Sequence, residues 1–415
     1  MKTTQASPQE PQVSDIYAQF GVKRRINAAG TLTRLGGSLM EPEVLQAMQA
    51  AAEASVDIAE LQAAASRAIA TATGAQAGIV TSGASSALTL ATAACMARWD
   101  VARMAALPDT RGMPHRVLMA RTHRNGYDHA VRVAGARIID IGHNDRGTGA
   151  GVRGLEPWEI EAAIDAETAA FVFVATAQSL PDLAAVRDVV HAHHLPLIVD
   201  AAAQLPPKRN LRHFIDVGAD LVLFSGGKAL GGPQASGILA GRADLIGSAL
   251  VQMMDMDVRP QTWSPPDLID RAALKGIPHH GIGRGFKVGK EEIVGLLVAL
   301  QRFVERNEAA VATQWTERLN KIAAVLQTGA MIKTHLLPDS PEFPVPLLEL
   351  HLPMSAHSIS RRLQSGEPPV HLGERRIDEG ILTIYPQALR AQDDSVLARR
   401  VMEACRDELA APGNA

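Results

Sequence analysis

Two residues in one stretch of the chain, Asp200 and Lys228, have the types and the spacing to act together. Each follows a short apolar run bounded by turn-formers, Leu197–Val199 and Leu221–Phe224. Such runs suit buried parallel strands. In an open α/β sheet, ligands sit at the carboxyl ends of the strands. The first run ends in Asp200 and the second in Ser225-Gly226-Gly227-Lys228, so acid and amine can face one cleft. A lysine can form a Schiff base with a carbonyl cofactor. Pyridoxal 5'-phosphate (PLP) needs that lysine for its aldehyde and an acid for its ring nitrogen. The glycines around Lys228 let the backbone turn tightly and approach a flat ring.

A second motif fits the same cofactor. Residues 77–86, AGIVTSGASS, read as a strand, a turn of small residues and the start of an apolar helix. Free backbone N–H groups and the helix dipole make such a turn an anion site. The candidates are Ser82, Gly83, Ala84 and Ser85. Ala202 and Ser225 stand beside the acid and the lysine. Gln178, at the exit of the buried run 170–175, has the reach to approach a ring hydroxyl or a substrate. The strand RVLMA, 116–120, leads into His123, with Asn125 and Tyr127 behind it.

Three segments, INAAGTLTRLGG, VDAAAQLPP and GADLVLFSGGKALGGPQASGIL, resemble the family of selenocysteine synthase, L-seryl-tRNA selenium transferase. The nearer likeness is to its shorter, tRNA-independent ammonia-lyase relatives, and it runs from Asp15 to Leu389. The resemblance implies an α/β fold of the fold-type-I PLP class, with a large, mainly parallel-sheet domain and a small C-terminal α+β domain. It implies that the turn at Ser82–Ser85 holds the PLP phosphate and that His123 stacks on the pyridine ring. The segment carrying Arg34 is expected to cross near the active site, where a guanidinium can clamp a carboxylate or phosphate. The run 281–291 is expected at a dimer interface, where Arg284, with Lys287 as a second candidate, reaches the neighbouring subunit's phosphate. Arg375, Arg376 and Arg390 are further candidates for the substrate carboxylate.

The elements that must position these groups follow from pattern. Residues 1–25 read as a loose polar arm, 26–290 as the PLP-binding domain, 291–327 as one linking helix, and 328–415 as the small domain. Residues 100–115, 142–156 and 247–280 read as irregular. The chain has 415 residues, 47% of them hydrophobic and 20% charged, and a net charge of −3. That length supports two domains and a large core, and that charge implies no broad attraction to nucleic acid or anionic lipid. His191, His193 and His194 do not share one helix face, so they are read as solvated rather than as metal ligands. No metal is expected. The two cysteines read as packing residues. No apolar run is long enough to cross a membrane and no secretory signal opens the chain, so the cytoplasm is the expected compartment.

PLP activates an amino group without fixing the outcome. Since the resembling relatives eliminate or replace a β-substituent, the expected reaction is α,β-elimination from a 2-amino-3-hydroxy acid, giving a 2-oxo acid and ammonia. The expected assembly is a homodimer or larger, without nucleic acid. Transamination and racemisation are the alternatives. Selenium transfer to a charged tRNA and a non-catalytic sensor rank below them, and a desulfurase lacks a cysteine near the cleft.

Overall fold

The computed structural model describes residues 16–143, 155–329, 331–340 and 344–410. Within them are twelve strands: β1 Ile26–Ala28, β2 Ala77–Thr81, β3 Arg116–Ala120, β4 Arg137–Ile141, β5 Thr168–Val174, β6 Leu197–Asp200, β7 Leu221–Ser225, β8 Gly237–Gly241, β9 Lys333–Leu337, β10 Leu347–His351, β11 Val370–Leu372 and β12 Ile381–Ile384. The chain divides into two compact units. One groups the described residues of Thr31–Val311 and Ser340–Val345; the other groups those of Met1–Gly30, Ala312–Asp339 and Pro346–Ala415.

The large unit is built on a seven-stranded sheet in the order β2-β8-β7-β6-β5-β3-β4. Neighbours run parallel except β8, which is antiparallel to both β2 and β7. The central strands β5, β6 and β7 are almost entirely Val, Ile, Leu, Phe and Ala, and buried. Continuous apolar runs of this kind mark strands covered on both faces. The helix Ala84–Ala97 is buried from Ala87 to its last residue, so its alanines pack on every side.

The smaller unit has a three-stranded antiparallel sheet, β12-β10-β9, and a separate parallel pair, β1 with β11. Ile26 and Ala28 belong to its core, with Leu348, Val370 and Val401. Residues 26–30 therefore group with the C-terminal unit, not with the large domain as expected. The reason is β pairing with β11, which apolar pattern in one segment cannot reveal. Of the expected loose arm, 1–15 lie outside the described residues, as do 144–154 of the expected irregular region 142–156. Residues 16–25 are anchored: Lys23 pairs with Glu367, and Arg24 with Asp393 at 3.1 Å.

The expected single helix over 291–327 is two helices, Lys290–Glu305 and Glu308–Gln327. Arg306 between them is extended (φ −61°, ψ 135°). The break is stabilised from both sides. Asn307 Oδ1 accepts from the Ala310 amide at 3.1 Å, an N-cap for the second helix. The Lys208 ammonium donates to the carbonyls of Val304 (2.7 Å) and Arg306 (3.1 Å), satisfying the end of the first. Two expected irregular regions also contain helix: Val101–Ala106 buries Met104, and Ala243–Met253 runs into 247–280.

The cap at the break is open to test. Asn307→Ala is expected to lower stability by about 1 kcal/mol, read as a lower urea midpoint at unchanged slope; an unchanged midpoint means that Lys208 alone holds the break.

Candidate active site

The sheet brings the ends of β2, β3, β5, β6 and β7 and the start of β8 to one edge. β6 and β7 are parallel neighbours, and Asp200 pairs in register with Leu223. On the other side, Val174 at the end of β5 pairs with Asp200. β3, which leads into His123, lies beside β5. β8 starts at this edge: Gly237 pairs with Ser225 of β7 and with Thr81 of β2. One glycine thus stands between the strand that leads to Ser82 and the strand that leads to Lys228.

Asp200 and Lys228 are both half-buried. Burial pushes the Asp200 carboxyl above the usual carboxylate range; the Ala202 amide, donating to Oδ1 at 3.0 Å, and the Lys228 charge oppose that rise. Burial likewise lowers the Lys228 ammonium from its ordinary 10.5, against the pull of Asp200. Desolvation thus works on both groups in the direction of their neutral forms. That yields an amine available as a base and a carboxylate in need of a cation.

The turn 82–85 is built as the sequence implies. Gly83 takes φ 130°, open to glycine, and begins the helix Ala84–Ala97. The first amides of that helix have no intrahelical acceptor. Ser82 Oγ lies 2.9 Å from Ser86 Oγ and donates to the Phe286 carbonyl at 2.9 Å. A Cβ on Gly237 would fall 2.6 Å from the Gly83 carbonyl carbon and 2.8 Å from the Ala84 nitrogen. The turn can rest on β8 because residue 237 is glycine.

His123 is 8% exposed, and burial lowers its pKa to about 4. Its Nδ1 accepts from the Val174 amide at 3.3 Å, so the neutral ring carries its proton on Nε2. The ring meets Phe173 edge-on at 4.7 Å. Asn125 Nδ2 donates to the His123 carbonyl at 3.1 Å, and Asp128 pairs with Arg124 behind it. His123 is a fixed, uncharged, flat group at the end of β3.

Among the remaining candidates, Arg34 lies on a single turn, Thr33–Leu35, that is tied to the lysine loop. Gln234 Nε2 donates to the Thr33 carbonyl at 2.6 Å, and both the amide and the hydroxyl of Ser38 donate to the Gly227 carbonyl, at 3.0 and 3.1 Å. Arg34 itself is exposed. Gln178 is exposed on the turn Thr176–Ser179; the amide side chain bound at this exit is that of Gln204, whose Nε2 donates to the Ala175 carbonyl at 2.7 Å. Gln204 and Gly237 were not singled out from the sequence. Their signals were a glutamine between Asp200 and a Pro-Pro pair, and a glycine opening an apolar run. Arg284 is held by Asp255 at 2.8 Å, on a surface shared with Asp257 and His280, while its neighbour Phe286 meets Ser82. Arg375 and Arg390 belong to the other unit, where both are exposed. His191 is engaged by Asp220 at 2.9 Å.

The chain is 31% identical over 398 residues to the D-glucosaminate-6-phosphate ammonia lyase of Salmonella typhimurium, covering 94% of this chain and 97% of that one. The chain belongs to the D-glucosaminate-6-phosphate ammonia-lyase family. A solved structure of a D-glucosaminate-6-phosphate ammonia-lyase superposes with a TM-score of 0.78, at 28% identity, over 96% of this chain and all of that one. The L-seryl-tRNA selenium transferase family model matches residues 169–257, the stretch holding Asp200 and Lys228. A second relative, the 5'-C-glycyluridine monooxygenase-decarboxylase of a Streptomyces species, is 28% identical over 95% of this chain and 93% of its own. The fold is that of the fold-type-I PLP enzymes.

PLP is the cofactor of this ammonia-lyase-like chain, and the residues present fit it. The buried carboxyl of Asp200 has one backbone donor and calls for a cation, which a protonated ring nitrogen provides. The helix start at Ser82–Ser85 offers amides to a phosphate. His123 offers an uncharged ring.

Two outcomes test this site. Gly237→Ala is expected to displace the turn at Gly83 and weaken PLP affinity at least tenfold while the apoprotein folds, read by absorbance titration; unchanged affinity would mean that the turn does not carry the phosphate. In the apoprotein, the folded pKa of His123 lies below the 6.5 of an unfolded histidine. The unfolded chain therefore binds the extra proton between those values, so this contribution is complete above pH 6.5 and is lost as pH falls toward 4. Denaturation at pH 4.5 and 7 should show a difference of roughly 2 kcal/mol from this source that His123→Phe lacks.

Proposed function

We propose that the chain catalyses α,β-elimination from a 2-amino-3-hydroxy acid, releasing ammonia and leaving a 2-oxo acid. The observation that carries this reading is the pairing of Asp200 and Lys228 on adjacent parallel strand ends, in a chain similar over nearly its whole length to an ammonia lyase. When bound, PLP supplies an electron sink conjugated to the substrate's amino group. The protein supplies the proton handling. Lys228 would anchor the cofactor covalently; displaced by the substrate's amino group, its Nζ, whose pKa burial lowers, would be free to take the proton from the substrate Cα. Asp200 keeps the ring nitrogen protonated. The amides of Ser82, Gly83, Ala84 and Ser85, with the Ser85 hydroxyl, would hold the phosphate. Ala202 orients Asp200 through its amide, and Ser225 sets where the lysine loop leaves β7. Arg34, carried by the turn bound to that loop, is the proposed partner of the substrate carboxylate. Gln178 would approach the site from the exit of β5, and Arg284, bound here to Asp255, would reach the phosphate of a neighbouring subunit.

Cysteine-based sulfur chemistry is disfavoured on its own evidence. Burial pushes the Cys95 thiol up to about 12 and the Cys405 thiol to about 11, so neither is a ready nucleophile. Two buried free thiols suit a reducing compartment, and we place the protein in the cytoplasm. Among the described residues no helix is long and apolar enough to cross a membrane. We further propose a homodimer, because Leu32, Leu39, Leu45, Val56 and Ile58 are exposed in one stretch of the large unit.

Purified holoenzyme, offered D- and L-2-amino-3-hydroxy acids including sugar-derived ones, is expected to release ammonia and a 2-oxo acid in equal amounts, without a 2-oxo acid acceptor and without consuming oxygen. Lys228→Ala is expected to lose on the order of 10³-fold in rate and borohydride-trappable cofactor with it. Sedimentation of the same preparation should report twice the chain mass. Dependence on an acceptor would indicate an aminotransferase, loss of optical activity without either product a racemase, and trapping at another residue would remove Lys228 from its role.

A further inference from the structure

We infer that the large unit carries a second ligand site, sharing no lining residue with the cofactor site, for a small organic anion with an apolar body. The site is a groove of about 880 Å³. Its walls come from the helices Ile58–Thr73, Asn210–Val217 and Lys290–Glu305, through Ala68, Ala72, Leu211, Leu297 and Val304. Alanines on the first helix leave the space that larger side chains would fill. Val304 is 38% exposed on the opposite wall.

Charge at the rim selects the occupant. Arg209 and Arg212 stand at the groove, exposed, and among the described residues neither guanidinium has a carboxylate within 4.0 Å. Arg212 Nη1 donates to the Thr71 carbonyl at 3.0 Å, which fixes the side chain beside the groove without neutralising it. Two acids share the rim and keep their charge, but three cations, Lys208, Arg209 and Arg212, outnumber them. Glu308 Oε1 accepts from the Lys208 amide at 2.7 Å, and Glu305 Oε1 from Gln301 Nε2 at 3.0 Å. Two unneutralised guanidiniums above an apolar floor match a carboxylate or sulfonate joined to a hydrocarbon or aromatic body. The groove is also stiff: the Lys208 ammonium, bonded to the carbonyls of Val304 and Arg306, holds one wall in place. A preformed cavity loses little in ordering when it binds.

The test uses the holoenzyme, with the cofactor site filled, and 8-anilinonaphthalene-1-sulfonate as the probe. Saturable fluorescence at one site per chain, displaced by decanoate, is expected. The double variant Arg209→Ala/Arg212→Ala should weaken the dye by roughly tenfold or more, and Ala68→Trp should abolish its binding by filling the groove. Both variants should keep wild-type turnover, which shows that they fold. Absence of saturable binding, or a dye affinity unchanged in both variants, overturns the inference. So does dissociation of the assembly by either variant, which would assign the groove to a second copy of the chain.

Discussion

Desolvation of two opposite charges on neighbouring strand ends is the constraint on which this structure depends. In water, Asp200 and Lys228 would both be fully ionised and the lysine would be a poor base. At the edge of a sheet whose strands are buried on both faces, each charge loses hydration, and each only partly repays the other. The pair is thus unsettled without a third group. A flat cationic ring with an aldehyde and a phosphate answers all of its demands at once. The parallel register of β6 and β7 is what keeps the two groups at the same edge.

The remaining parts of the site are arranged by backbone more than by side chains. Gly237 pairs with Thr81 on one side and Ser225 on the other, so the turn at Ser82–Ser85 and the lysine loop share a single reference point. The turn lies so close above it that a methyl group has no room. Ser38 and Gln234 tie the Arg34 segment to the same loop. Movement of any of these segments would be felt by the others through bonds of ordinary length.

Much of this was legible in the sequence, for physical reasons that differ by element. β3 has the bounds that its pattern suggested. Short apolar runs between turn-formers and an amphipathic repeat are local signals. Asp200, Lys228 and Ser82–Ser85 were legible because chemistry and strand ends coincide at them. His123 was expected, by resemblance alone, to stack on the cofactor ring; what the structure adds is that it is buried and uncharged at the end of β3. What was not legible is non-local. β1 is three residues with no pattern of its own, placed by β11. The break at Arg306 depends on Lys208, about a hundred positions upstream. Gln204 has a role only because β5 ends where its amide can reach.

The β1–β11 pair also orders events in time. Ile26 meets Val370 in register, so β1 leaves the ribosome about 340 residues before the strand it pairs with. Residues 31–311 carry a complete sheet and can collapse around it during synthesis, since domains generally fold as units, N-terminal first. The smaller unit cannot, because its core needs both extremities of the chain, and contacts so distant in sequence form slowly. Ile26 and Ala28 therefore lack their partner for most of translation, and the seven-stranded sheet can assemble while β1 still waits for its mate.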